Sequence, residues 1–437
     1  MFRHSALIFG IMVSSPGTSF EVNPNWAKWA RESQHPLSRI VTQSDDQFED
    51  LAFLQGLLQD KRIVQLGESS HGSKEYTSGK IRLIKYLHEK QGFNVIAFES
   101  GLFECTEAWQ NQESKDAVDL MRSCIFGGWH TEETLELFHY LKDQAAAGTP
   151  LALTGFDPQL SSGRGDAHRT KVVVEAVRLM DSDYAQEVQT LFVDFYDLNR
   201  KFFEDFGTDP NKARGTVRQY RKQFQGRFNA LSQFFSKNKR RYMSDYGWPE
   251  SKVRWIQKYG ETPKQLIEVF AQDLSDRGAI NMRDYYMAEN LAWLCDTIYP
   301  SEKIIVWAHN AHIAHDANVW TTYPMGYFLK KRFAESLYSI GLYAYAGETA
   351  GDKGPVPIRQ HIDASLESTL HQSGAKYAFF DFSREEYRDA SSFLFEPFMT
   401  QYWGVTDDPL TLKKSYDGVL FLEESSLPTF LGPLMSP

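Results

Sequence analysis

Residues 67–72, Gly-Glu-Ser-Ser-His-Gly, bring a carboxylate, two hydroxyls and an imidazole into one short turn. Glu68 and His71 are three residues apart, so the carboxylate can fix the tautomer of the imidazole. An imidazole held in this way can take a proton from a water molecule that attacks an ester carbonyl. The pair therefore suits a hydrolytic centre in which His71 acts as the general base.

Three further apolar runs also end in acidic residues or histidines. The run 93–99 ends in Glu99, the run 151–157 ends in Asp157, and the run 303–310 leads into His309 and His312. In an open parallel sheet, ligands bind beyond the carboxyl ends of the strands. Because four such strand ends carry carboxylates or imidazoles, they predict one polar site at this edge of a sheet.

Two mechanisms suit these residues. In the first, Glu68 or Glu99 orients His71, and His309 or His312 donates a hydrogen bond to the developing oxyanion. In the second, the histidines and a carboxylate hold a divalent metal that activates the water. The sequence contains no HExxH motif or other closely spaced set of metal ligands. We therefore predict a reaction without a cofactor and keep a divalent metal as the second alternative.

The turn does not fit the usual motif of a serine hydrolase. A nucleophile elbow reads G-x-S-x-G, and here Gly72 is one residue too far from Ser69. No phosphate-binding GxxxxGK[ST] or GxGxxG motif follows an apolar run. Ser69 and Ser70 are therefore predicted to contact backbone or substrate. The structural alternative for Glu68 is a carboxylate that only satisfies the amide groups at the start of a helix.

Seven short runs rich in Val, Ile, Leu and Phe predict strands that are buried on both faces. They are 62–67, 93–99, 151–157, 303–310, 337–345, 376–382 and 418–424. Amphipathic helical patterns over 74–90, 132–147 and 281–298 separate several of them, which favours parallel strands joined by crossovers. The predicted fold class is α/β, with a mainly parallel central sheet flanked by helices.

Residues 166–275 contain no strand-like run but several long stretches with helical periodicity. We interpret them as a helical insertion that closes over an active-site cleft, between the halves 23–165 and 276–437 of the α/β core. Residues 1–22 have a basic start and a short apolar stretch, which resembles a secretory leader. A leader predicts export to the periplasm or the medium; without one, the protein is expected in the cytoplasm.

The composition argues against some classes of function. The net charge of −10 disfavours nucleic acid as the main partner, and no later segment is long and apolar enough to span a membrane. The three cysteines, Cys105, Cys124 and Cys295, lack the spacing of a metal or redox site and are expected to be buried thiols. If the protein is exported, Cys105 and Cys124 could pair instead.

The chain also resembles a known family. The blocks LGESSHGSKEYTSGKIRLIKYL, GFNVIAFESG, LTGFDPQ, MRDYYMAENL, VWAHNAHI and YPMGYFLKKRF follow, in order, those of the erythromycin esterase family. The resemblance extends from about residue 45 to about residue 430 and is loose in the helical insertion. It implies hydrolysis of the macrocyclic lactone of 14-membered macrolides by an activated water, without a covalent serine intermediate.

On the matching positions, the resemblance implies a role for each catalytic residue. His71 is the general base, Glu68 and Glu99 orient and polarise it, and His309 and His312 complete the site. The fold that it implies is an α/β core with a helical portion over a deep cleft.

Four further residues are predicted to bind the substrate: Lys80, Asp157, Arg283 and Glu75. Lys80 stands where some relatives carry Arg, so a basic group is kept but a bidentate grip on a carboxylate is lost. Arg283 has a structural alternative as an ordinary ion-pairing residue beside Asp284 in the first turn of a helix.

The leading hypothesis is therefore an ester or lactone hydrolase that acts on a small macrolide-like molecule and gives macrolide resistance. One alternative is a metal-dependent hydrolase of another ester or of peptide bonds on the same residues. Another is a non-catalytic envelope protein that binds a ligand in the cleft. The particular substrate and the oligomeric state are not predicted.

Overall fold

The computed structural model describes residues 22–161, 165–272, 278–317, 323–351, 354–358, 364–401, 404 and 406–432. Of the expected leader 1–22, only Val22 is among them, so that prediction lies outside the described residues. Within these ranges, no helix combines the length and the apolar character that crossing a membrane requires.

The described strands form one large sheet and one small sheet. They are β1 (Gln34–Pro36), β2 (Ile63–Leu66), β3 (Phe93–Gly101), β4 (Ala152–Asp157), β5 (Lys303–Trp307), β6 (Leu337–Gly351), β7 (Gly354–Pro357), β8 (Tyr377–Asp381), β9 (Pro397–Thr400), β10 (Asp408–Thr411) and β11 (Gly418–Ser425). The large sheet has the order β1-β8-β11-β6-β2-β5-β3-β4, with β7 paired to the far end of β6. β9 and β10 form a separate antiparallel pair. All seven predicted strands are present in the large sheet.

Most of the large sheet is parallel. The strands from β11 through β6, β2, β5 and β3 to β4 run parallel to their neighbours. The opposite edge differs, because β8 pairs antiparallel with β11 and β1 pairs antiparallel with β8. The predicted α/β class with a mainly parallel central sheet is confirmed.

The four strands with polar ends are neighbours in this sheet. β2, β5, β3 and β4 lie side by side, although β5 follows β4 along the chain. After β5 the chain crosses to β6 on the other side of β2. Such a change in winding direction leaves a crevice beyond the carboxyl ends of the strands. The topology therefore brings the four polar ends to one place.

Helices cover both faces of the large sheet. They are α1 (Pro24–Ser33), α2 (Gln55–Leu58), α3 (Lys74–Gln91), α4 (Leu102–Gln110), α5 (Ala117–Cys124), α6 (Glu132–Ala146), α7 (Gly165–Arg178), α8 (Ser182–Phe206), α9 (Pro210–Tyr246), α10 (Glu250–Ala271), α11 (Gly278–Trp293), α12 (Asn310–Ile313), α13 (Met325–Phe333), α14 (Leu366–His371) and α15 (Leu412–Ser415). α7 to α10, which lie between β4 and β5 along the chain, pack against one another. They occupy the range predicted to be a helical insertion, and its role as a separate domain stays a prediction.

Local sequence explains the helix that follows the first polar turn. Ser73 Oγ accepts a hydrogen bond from the Tyr76 amide and caps α3, and Gly92 ends the helix at φ 72°. Ile84 of this helix is fully buried in the core on one face of the sheet, and Phe228 of α9 belongs to the core on the other. Because both faces are covered, central strands such as β2 and β5 are buried and mostly apolar.

The cysteines differ from the expectation of three buried thiols. Cys105 in α4 and Cys124 in α5 form a disulfide. Cys295 is a buried thiol, and burial raises its pKa to about 12. The favoured expectation was wrong for the first two, and the alternative, a pair between Cys105 and Cys124, is present. Their separation in sequence does not show that α4 and α5 pack side by side.

Candidate active site

The turn between β2 and α3 places His71 beside Glu68. His71 Nδ1 lies 2.6 Å from Glu68 Oε1, and because an ionised carboxylate only accepts hydrogen bonds, Nδ1 carries the proton. Nε2 is then the ring nitrogen that can accept one. The Glu68 side chain is fully buried, whereas 44% of the His71 side chain is exposed. His71 is therefore the member of the pair that a water molecule or a ligand can reach.

Glu68 is held as a carboxylate by two further donors. Trp129 Nε1 donates to Oε1 at 2.9 Å, and Lys80 Nζ lies 2.9 Å from Oε2. Burial raises the pKa of Glu68, but the charge of Lys80 and the contacts with His71 outweigh it and hold the pKa below its ordinary value. Glu68 therefore stays an anion and can stabilise a positive charge on His71.

Lys80 is the buried counter-ion of this carboxylate. Its side chain is fully buried and donates to the Ala308 carbonyl at 3.1 Å. Its ammonium group also lies 4.4 Å from the centroid of the Trp307 ring. Burial lowers the pKa of Lys80 to about 8, although the charge of Glu68 acts in the opposite direction. This position favours support of Glu68 over direct contact with a substrate.

A second charged cluster lies at the ends of β3 and β4. Arg283 of α11 donates through Nη2 to Glu99 Oε1 at 2.8 Å and through Nε to Asp157 Oδ2 at 3.1 Å. Burial raises the pKa of Glu99, but the charges of His312 and Arg283 bring it well below its ordinary value. Burial lowers the pKa of Arg283, and the charges of Asp157 and Glu99 raise it above the ordinary value. Glu99 and Arg283 are therefore an ionised pair.

His312 connects this cluster to Asp284. His312 Nδ1 lies 2.7 Å from Asp284 Oδ1, and Nε2 lies 3.2 Å from Glu99 Oε1. Burial lowers the pKa of His312, but the two carboxylates raise it to about 10, so the ring is a cation at neutral pH. Arg283 Nη1 lies 3.1 Å from the same Nε2. Two donors thus face each other, and the neighbouring carboxylates outweigh their repulsion.

His309, three residues before His312, is neutral. Its Nε2 donates to the Ser69 carbonyl at 3.0 Å, and its Nδ1 accepts from the Ala311 amide at 3.0 Å. Burial lowers the pKa of His309 well below its ordinary value, and the charges of His71 and His312 act in the same direction. His309 therefore caps α12 and fixes the polar turn through Ser69.

Asn310 joins two of the strand ends. Its backbone N–H donates to the Glu68 carbonyl at 2.8 Å. Its side-chain Nδ2 donates to the Leu342 carbonyl at 2.9 Å, and its Oδ1 accepts from the Leu342 backbone N–H at 3.1 Å. A Cβ atom on Gly67 would lie 2.1 Å from Asn310 Oδ1. This close approach requires a glycine at position 67.

The structure brings most of the predicted site residues to one edge of the sheet. These are Glu68, His71, Lys80, Glu99, Asp157, Arg283, His309 and His312. Glu75 lies apart, because its carboxylate accepts hydrogen bonds from the Ser426 amide at 2.6 Å and the Ser426 hydroxyl at 2.7 Å. It holds the segment that follows β11. The roles assigned to these residues stay predictions.

Two groups of the site were not predicted from the sequence. Asp284 follows Arg283 directly, but an acidic residue early in a helix has an ordinary structural explanation, and the sequence analysis gave it only that one. Trp129 lies between α5 and α6, at 61 positions from Glu68, and no spacing relates the two. The block that contains Arg283 was a signal for Asp284, whereas no sequence signal indicated Trp129.

The carboxylates of the site already have cationic partners. Lys80 lies against Glu68, and Arg283 lies against Glu99 and Asp157. Over the part of the chain that the structure describes, no three His, Cys, Asp or Glu side chains are grouped as metal ligands. A reaction without a cofactor stays a prediction, with a divalent metal as the alternative.

Comparison with known proteins identifies one family. The sequence model described as erythromycin esterase matches residues 88–425. A Bacillus subtilis protein named "Putative hydrolase YbfO" is 32% identical over 412 residues, which are 91% of this chain and 90% of that protein. Erythromycin esterase type II of Escherichia coli is 24% identical over 430 residues, which are 92% of this chain and 98% of that protein.

A solved structure of an erythromycin esterase shares the fold. It is a mutant of erythromycin esterase EreC in its open conformation, and it superposes with a TM-score of 0.67 at 16% identity. The match covers 91% of this chain and 98% of that chain. At this identity, the likeness extends to the fold and not to the substrate.

Proposed function

This chain belongs to the erythromycin esterase family, and from that premise we propose that it opens the macrocyclic lactone of 14-membered macrolides such as erythromycin. Relatives named as hydrolases support hydrolysis as the reaction. The observation that carries the proposal is the 2.6 Å contact between His71 Nδ1 and Glu68 Oε1. The buried carboxylate holds one nitrogen of the ring and leaves the other to act as a base.

In the proposed reaction, His71 Nε2 takes a proton from water while the water oxygen attacks the lactone carbonyl carbon. The imidazolium then donates through Nδ1 to Glu68, whose negative charge Lys80 and Trp129 maintain. When the tetrahedral intermediate collapses, the bond to the alkoxide oxygen breaks and His71 returns the proton to that oxygen. The products are a carboxylic acid and a hydroxyl group on the opened chain, and no bond to the protein forms.

The charge on the carbonyl oxygen requires donors that point towards it. His312 Nε2 and Arg283 Nη1 lie 3.1 Å apart, although both groups are N–H donors when His312 is protonated. An oxyanion beside both groups would reduce further the repulsion that Glu99 and Asp284 already outweigh. We therefore assign these two groups to the stabilisation of the oxyanion.

The names of relatives support a macrolide as the substrate. Erythromycin esterase type II of Escherichia coli is matched over 98% of its length, and such an activity would give macrolide resistance. The relative with 32% identity is named only as a hydrolase. Other esters are therefore the first alternative substrates.

The test is mass spectrometry of erythromycin after incubation with the purified protein, with and without EDTA. We expect the gain of one water molecule in both samples. Hydrolysis only without EDTA would instead support the metal-dependent alternative, and binding without hydrolysis would support the non-catalytic one. A matched pair of variants checks the site: His71→Asn should lose most of the activity, whereas Glu75→Gln, in the same segment but outside the cluster, should retain it.

We also infer that the protein is exported. The disulfide between Cys105 and Cys124 suits an oxidising compartment, as does the leader-like composition of residues 1–22. Fractionation of the producing cells, with mass spectrometry of the mature N-terminus, tests this inference. Recovery of uncleaved protein from the cytoplasm with both thiols reduced would contradict it.

A further inference from the structure

Trp129 contacts both members of the proposed catalytic pair. The residue is 3% exposed, and its Nε1 donates to Glu68 Oε1 at 2.9 Å. Its ring meets the His71 ring edge to face, with 4.7 Å between the centroids and 73° between the planes. His71 Nδ1 lies 2.6 Å from the same oxygen of Glu68. One carboxylate oxygen therefore accepts from both rings.

The turn that carries Trp129 is anchored at both ends. At its start, Cys124 is bonded to Cys105, and the Phe126 amide donates to the Ser100 hydroxyl at 3.3 Å. At its end, Thr131 forms a β-bridge with Phe430. These contacts tie the turn to α4, to the end of β3 and to the C-terminal segment. The indole consequently approaches Glu68 from a fixed direction.

Sharing of one oxygen has a consequence for His71. A carboxylate oxygen that already accepts from the indole is a weaker acceptor for the imidazole. The stabilisation lost in this way is largest for the positively charged imidazolium, because its hydrogen bond to a carboxylate is the strongest. The edge contact also restricts rotation of the His71 ring. We propose that Trp129 is a positioning residue that sets the orientation of His71 and limits the strength of its hydrogen bond to Glu68. Its kinetic consequence rests on the proposed function of His71 as the base.

Trp129→Phe separates these contributions, because it keeps an aromatic ring and removes the N–H donor. Glu68 Oε1 then accepts from His71 alone, and the protonated form of His71 gains stability. The acid limb of kcat/KM should move to higher pH by about 0.5 to 1 pH unit. This is the size expected when an oxygen that was shared between the indole and the imidazolium serves the imidazolium alone. In the Glu68→Gln background the same change should have no such effect, because Trp129 acts through the carboxylate.

A spectroscopic measurement tests the inference without any substrate. In protein labelled with ¹⁵N-histidine, the Nδ1–H proton of His71 should resonate further downfield in Trp129→Phe than in the wild type, because its hydrogen bond is stronger. Trp29→Phe is the matched control. Trp29 is also 3% exposed, and its Nε1 has no acceptor among the described residues, so this change removes an indole from the core but no hydrogen bond.

The expected result is a displaced Nδ1–H signal and a displaced acid limb in Trp129→Phe, and wild-type values of both in Trp29→Phe. The inference is overturned if the signal in Trp129→Phe coincides with that of the wild type. A displaced signal without hydrolysis of any ester would support the role of Trp129 and reject the proposed function. Should Trp129→Phe not fold, β-(3-benzothienyl)alanine at this position, which has the shape of tryptophan but lacks the N–H, gives the same comparison.

Discussion

Replacing Asp284 by Asn should weaken the pH dependence that His312 gives to the stability of the fold. The change keeps the shape of the side chain but removes a negative charge whose oxygen lies 2.7 Å from His312 Nδ1. The pKa of His312 is about 10 in the folded protein, against an ordinary value of 6.5. Between these values the folded state holds a proton that the unfolded state has lost. The free energy of unfolding therefore falls as the pH rises from 6.5 to about 10.

The interval between the two pKa values sets the size of the effect. Each pH unit corresponds to about 1.4 kcal/mol, so the whole contribution of His312 is about 5 kcal/mol at most. Asp284 and Glu99 share it, and Asp284 contributes the larger part. We expect Asp284→Asn to lower the free energy of unfolding by about 2 to 3 kcal/mol at pH 6.5 and by much less near pH 10. The amide oxygen of the new side chain can still accept from the Met325 amide.

Urea denaturation of both proteins across this pH range measures the difference. Asp194→Asn is a suitable control, because Asp194 forms an exposed ion pair with Arg227 and contacts no histidine among the residues that the structure describes. That change should cost less than about 1 kcal/mol at every pH. If the free energies of unfolding of Asp284→Asn and the wild type differ by the same amount from neutral to alkaline pH, the argument that Asp284 holds His312 as a cation is refuted.

Three further substitutions have defined outcomes. His71→Asn should lower the turnover of the susceptible ester by roughly 10² to 10⁴-fold without unfolding the protein, and near-normal turnover would remove His71 from the mechanism. Burial lowers the pKa of His315, whose Nε2 lies 2.6 Å from Ser339 Oγ, to about 4. The free energy of unfolding of the wild type should therefore fall by up to about 3 kcal/mol as the pH falls from 6.5 to 4. In urea denaturation, that of His315→Gln should fall by less over the same interval, and equal decreases would contradict the argument. Joint replacement of Cys105 and Cys124 by Ala should lower the free energy of unfolding by about 3 kcal/mol, as judged from the urea midpoint, and an unchanged midpoint would show that the crosslink does not constrain the unfolded chain.

The position of the site could be predicted because it depends on topology. Glu68, Glu99, Asp157 and His309 each follow an apolar run, and a mainly parallel sheet places all such ends at one edge. The order β2-β5-β3-β4 makes these four ends immediate neighbours, so small errors in the strand boundaries did not matter. The apolar runs in the sequence are therefore sufficient to predict that these polar residues lie at one edge of the sheet.

Contacts between distant segments could not be predicted in this way. Trp129 reaches Glu68 from a short turn, and Cys105 meets Cys124 where two helices pack together. Glu75 is only seven residues from Glu68, yet its carboxylate holds Ser426. In each of these cases the partner depends on the direction in which a side chain leaves its helix or turn, and spacing alone does not determine it.

The two histidines of the motif at 309–312 illustrate the limit of spacing as an argument. Three residues apart, they were predicted to be alternative donors to the oxyanion, but the structure makes one ring neutral and the other a cation. His309 caps a helix with Nδ1, and because that nitrogen must stay unprotonated to accept from the Ala311 amide, the ring is neutral. His312 meets Asp284 and Glu99, and both of its nitrogens can donate only if the ring is a cation. The charge of His312 is therefore decided by partners from β3 and α11. In the proposed reaction, His312 would stabilise the oxyanion, while His309 would hold the turn that carries the base through Ser69.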